Sequence, residues 1–97
     1  MYVAALRIEL RIRGARSLKE KRHTVKSVIA QLAGTFGVAA AEVEDQDKWQ
    51  KATIGVAAVA SQHGHLVRVL HTVERYLERR DDIETLRIDT RFMEAPE

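Results

Sequence analysis

The 97-residue chain has no cysteine and no asparagine. Without cysteine there are no disulfides, no thiolate nucleophiles and no thiolate-bound metals. Missing asparagine and plentiful charge fit a thermophilic source. No apolar run approaches the roughly 18 residues of a membrane span. The N-terminus alternates like a strand and does not read as a signal peptide. A soluble cytoplasmic protein with no membrane partner is therefore expected. A dominant charge sign is missing as well: 16 Lys and Arg stand against 14 Asp and Glu. That balance is unlike a protein that coats nucleic acid, although the pI near 9.2 leans basic. The length predicts one domain over 1–97, large enough to bury a core without staples.

What is present is periodic. In "YVAALRIELRIR" (2–13), Leu6, Ile8, Leu10 and Ile12 alternate with Arg7, Glu9, Arg11 and Arg13. Period two predicts a strand with one buried face. Ser17 and Glu20 form a capping box that opens a helix running to about Phe36. Leu18, Val25, Ile29, Leu32 and Phe36 make its apolar stripe, and Gly34 and Gly37 are expected to end it. Residues 38–44 and 51–60 read as a hairpin around "DQDKWQ". Ala52, Ile54, Val56 and Ala58 share a face, whereas the alanine-rich first strand leaves its register open. A second helix starts at Ser61 or Gln62, with Leu66, Val69, Leu70, Val73 and Leu77 as its stripe. "RRDDIE" turns into a last strand, where Leu86, Ile88 and Phe92 alternate with Arg87, Asp89 and Arg91. The tail "EAPE" is expected to fray.

The order βαββαβ predicts an α+β, ferredoxin-like sandwich. Right-handed crossovers give a four-stranded antiparallel sheet with two helices on one face. This topology gathers "ARSLKEKR", "EVEDQDKW" and "ERRDD" at one end. Arg16, Lys19, Lys21, Arg22 and Lys26 crowd the start of the first helix, where the helix dipole already repels cations. Two readings follow. The cations form an anion or RNA site, with Lys19, Arg22 and Lys26 along one flank. Alternatively, carboxylates of the hairpin neutralise them, and partial pairing that leaves Lys19 and Lys26 free is expected. Glu42, Asp45, Asp47 and Trp49 are the candidates for contact with this end or with a partner. Trp49 either packs under the hairpin or stands exposed as an anchor.

No catalytic residues are expected. The open sheet face offers Arg7, Glu9, Arg11, Thr53 and Gly55 where RNA-recognition sheets place stacking aromatics. That mixed-sign face instead suits solvent or another copy of the chain. Acylphosphatases share the size and topology but need a glycine-rich phosphate loop and a catalytic Asn, which this chain lacks. His63, His65 and His71 lack a clear third-ligand geometry, and "EVEDQD" lacks the ordered calcium loop, so no metal or cofactor is expected. "GTFG" (34–37) matches a KH-domain loop by letter only.

"ARSLKEKR" (15–22) and "AEVEDQDKWQKATIGVA" (41–57) together resemble the YlxP-like family of small bacterial proteins, a domain of unknown function. The resemblance implies a ferredoxin-like fold and no assigned activity. The family's genes often lie beside those for ribosome-binding factor A and a translation initiation factor, which implies an RNA or ribosomal-subunit connection by association. A protein-interaction or homo-oligomeric module with no nucleic-acid role is the alternative, resting on the sheet face and its edge strands.

Overall fold

The computed structural model describes residues 1–96. Its elements are β1 (Tyr2–Ile12), α1 (Leu18–Phe36), β2 (Ala39–Glu44), β3 (Lys51–Ala60), α2 (His63–Arg79) and β4 (Ile83–Glu94). The strands form one antiparallel sheet in the order β2-β3-β1-β4. Two helices cover one face, so the expected α+β ferredoxin-like arrangement is the observed one. No helix is long and apolar enough to cross a membrane among the described residues.

The core follows the period-two and period-3.6 patterns. Leu6, Ile8, Leu10 and Ile12 of β1 face inward beside Ala52, Ile54, Val56 and Ala58 of β3. Leu66, Leu70, Val73 and Leu77 cover them from α2, and Val25, Val28 and Leu32 from α1. Each large aliphatic side chain buried this way contributes about 1.5–3 kcal/mol. Three details of α1 differ from the apolar pattern. Val28 and Lys21 are fully buried, while Leu18, Ile29 and Phe36 are only partly so. The helix also runs through Gly34, and only Gly37, left-handed at φ 66°, closes it.

β4 departs most from its expected alternation. The pairing with β1 shifts between Glu9 and Leu10: Glu9 faces Arg87, but Leu10 faces Thr85. Leu86 is the extra residue of this bulge and is 45% exposed. Ile83 and Thr85 point inward before it, and Ile88, Thr90 and Phe92 after it. The tail is not frayed where it is described. Glu94 pairs with Tyr2, and the Ala95 N–H donates to the Met1 carbonyl at 2.8 Å. Glu97 lies outside the described residues.

Candidate functional site

The start of α1 is held by its own sequence. Ser17 is in extended conformation, and its Oγ accepts from the Glu20 N–H at 3.2 Å. The Glu20 carboxylate reaches back one residue further than in the usual box and accepts from the Arg16 N–H at 2.5 Å. The expected cap is therefore present.

The three segments predicted to share an end do so. The Ile12 N–H donates to Gln50 O at 2.8 Å and the Arg13 N–H to Asp82 O at 2.9 Å. Lys21 is the one α1 cation that joins the hairpin. Its side chain is wholly buried, and its ammonium donates to Glu42 Oε2 at 2.5 Å and Asp45 O at 2.8 Å, with Gln46 O at 3.4 Å. Glu42 can reach it because it faces inward beside Ile54, on the side of the sheet that carries α1. Lys21 is thus corrected from a surface cation to an internal one: no ligand in solvent reaches it.

The Asp45 backbone makes this possible. At φ 64° it is left-handed, a conformation Asp tolerates better than most residues, and its carbonyl serves both Lys21 and the Lys48 N–H. The Asp45 carboxylate accepts from Thr53 Oγ1 at 2.7 Å and pairs with Lys48 at 3.1 Å. These contacts, the Thr53 hydroxyl foremost, hold its carboxyl below the ordinary range. Neutralisation by the hairpin implies that Asp45 meets the α1 cations with its carboxylate. It meets one of them with its carbonyl instead. Asp47 and Trp49 remain at the hairpin tip, where Trp49 is 53% exposed and not packed beneath the hairpin.

Arg16, Lys19, Arg22 and Lys26 are exposed, and their side chains have no ion-pair partner among the described residues. The open sheet face behaves differently. Arg7 pairs with Glu9 and Glu44, Lys51 with Glu9, Arg11 with Glu84 and Arg87 with Asp89. Lys51 first, with Arg7 adding to it, holds the Glu9 carboxyl below its usual value. The cations free of carboxylates are therefore concentrated on the helix layer.

A second hub is not apparent from the charge pattern. Arg80 forks onto both Asp82 oxygens at 2.9 and 2.5 Å, and its remaining amino group donates to Ser27 Oγ at 3.1 Å and Tyr76 Oη at 3.0 Å. This ties the end of α2 to α1 and to the turn before β4. The i, i+2 spacing of Arg80 and Asp82 in "RRDD" is the one signal of it in the sequence. Of the histidines, His63 lies with its ring 5.7 Å from Tyr2 and 5.2 Å from Phe92. No cluster of three metal-ligating side chains occurs among the described residues.

The fold is similar to that of the de novo designed protein Foldit4, with a TM-score of 0.53 at 10% identity, covering 97% of this chain and 99% of that one. The sequence is 34% identical over 70 residues to the uncharacterized protein YlxP of Bacillus subtilis (strain 168), covering 72% of this chain and 76% of the relative. A profile of the family described as "Protein of unknown function (DUF503)" matches residues 3–90. Neither description names an enzymatic activity. With both segments that carried the YlxP-like resemblance inside the matched range, the chain belongs to the DUF503 family.

Proposed function

We propose that this protein is a non-enzymatic cytoplasmic module that contacts RNA, alone or in a ribosomal subunit, through Arg16, Lys19, Arg22 and Lys26. One observation carries the reading. These four cations have no carboxylate partner among the described residues, while Lys21 beside them and most cations of the sheet are paired. Lys19, Arg22 and Lys26 follow i, i+3, i+7 spacing along one flank, a row that suits successive phosphates. The helix dipole adds to the attraction. The gene association implied by the family resemblance points the same way.

The test is binding of labelled RNA and of purified ribosomal subunits across a salt series. Replacing the four cations by Ala should weaken binding and flatten the log–log salt slope by about 0.7–0.9 for each phosphate no longer neutralised. Absence of any binding by the unaltered protein at about 50 mM salt would refute the proposal. The exposed Trp49 supports a second reading, a protein partner docked at the hairpin tip beside Asp47. Trp49→Ala would then abolish capture of a partner whose binding survives nuclease treatment, with RNA binding unchanged.

A further inference from the structure

The two edges of the sheet are built differently. β2 is six residues long and is interrupted by a bulge at Val43, which leans over Gly55. Short length and a bulge both discourage a further strand. β4 has twelve residues, and beyond its bulge Arg87–Glu94 runs unbroken, without proline. Leu86, Phe92 and Met93 on this strand are 45%, 49% and 63% exposed. A long edge with unpaired backbone groups is a template for another strand unless its charges repel that strand.

The side chains of that edge specify which strand. Read outward from Thr90, the sequence is complementary to itself: Asp89 and Arg91 flank it, then Ile88 and Phe92. We propose that β4 pairs antiparallel with β4 of a second copy about a two-fold axis at Thr90, joining two four-stranded sheets into one of eight strands. In this register Asp89 faces Arg91 of the other copy, twice by symmetry, on the open face of the sheet. Ile88 faces Phe92, also twice, on the helix-covered face. Arg91 has no ion-pair partner within its own chain among the described residues, so the second copy supplies one. Neighbouring registers do worse. An axis at Asp89 sets Arg87 against Arg91, and an axis at Arg91 sets that guanidinium against itself. An axis at Ile88 also sets Asp89 against Arg87, but Asp89 already holds Arg87 within its own chain, the pairing crosses the bulge at Leu86, and Arg91 is left opposite Thr85. A parallel arrangement places Asp89 on Asp89 and Arg91 on Arg91. Opposite charges directly across a strand pair stabilise it and like charges destabilise it.

Sedimentation equilibrium over a wide concentration range tests this on the intact chain. The unaltered protein should reach twice the chain mass. Asp89→Arg, or Arg91→Asp, should weaken dimerisation about tenfold or more, because each creates two like-charge contacts. The combined exchange Asp89→Arg/Arg91→Asp should restore it to near the original value. Circular dichroism confirms that each variant folds. Because the chain contains no cysteine, Thr90→Cys should also give a disulfide-linked dimer under mild oxidant, while Met93→Cys should stay monomeric on denaturing gels. A protein that remains monomeric at the highest concentration overturns the proposal. A dimer indifferent to both single charge reversals overturns it as well.

Discussion

Two cations tie the helices to the loops at one end of the sheet, by different means. Lys21 of α1 is a point charge buried completely, with one carboxylate and the carbonyls of the hairpin around it. Arg80, just past α2, is a planar fork with 19% of its side chain exposed, holding Asp82 at two points and Ser27 and Tyr76 at the others. If Glu42 is removed, the buried lysine keeps its carbonyl contacts but has no second carboxylate to balance its charge among the described residues. The arginine shares its load over four bonds and lies close enough to solvent for water to replace one. Burial makes a polar anchor unforgiving, and partial exposure makes it tolerant.

The sharpest way to break the comparison is at Lys21. Glu42→Leu should destabilise the protein by about 3–5 kcal/mol in denaturant unfolding, since the wholly buried Lys21 is left without its counter-charge. Replacing both partners with apolar residues (Lys21→Met/Glu42→Leu) should recover much of that stability, because neither charge then needs a partner. Arg80→Ala should cost less, about 1.5–3 kcal/mol by the same measurement. Arg80→Lys should fall between the unaltered protein and Arg80→Ala, since an ammonium keeps the charge but cannot reproduce the bidentate contact. Ser17→Ala, which touches neither anchor, should cost about 1 kcal/mol for the missing cap.

Acid acts on carboxylates beside both anchors. Hydrogen bonds from Arg80 hold the Asp82 carboxyl below its ordinary value of 3.8, and Thr53 with Lys48 does the same for Asp45. A depressed carboxyl contributes stability that is complete above the ordinary value and fades as pH falls through the folded one. Unfolding free energy should therefore change little between neutrality and about pH 5 on their account, then drop below about pH 4. Asp82→Asn should flatten part of that drop. Least of all should be felt from replacing Lys19, Arg22 and Lys26 together by Ala: stability should shift by under about 0.5 kcal/mol. A larger change would mean that these side chains have structural partners after all.

The elements are legible in the sequence wherever their information is local. Alternation in β1, the Ser17–Glu20 cap and the apolar stripe of α2 each depend on residues a few positions apart, and all three match the structure. The order of elements then restricts the topology to the ferredoxin-like arrangement, and with it the gathering of three polar segments at one end. Partial pairing that leaves Lys19 and Lys26 free is also foreseeable from their flank of the helix. Less legible is which cation turns inward. By helical spacing Lys21 belongs with the buried stripe, but its charge argues for the surface, and a charge run alone does not rank its members.

What the sequence by itself determined is the set of strands and helices and the faces they bury, because periodicity and capping act within one element. What only the tertiary structure decided is where charge is satisfied and where the chain slips. The left-handed turn at Asp45 aims a carbonyl at Lys21, and the inward face of β2 brings Glu42 to the same point, 21 residues away in sequence. The bulge at Leu86 turns an apparently inward leucine to solvent, because register depends on the partner strand and one extra residue exchanges the faces. Both are properties of pairs of segments, fixed only when packing sets their distance and register, so no single segment contains them.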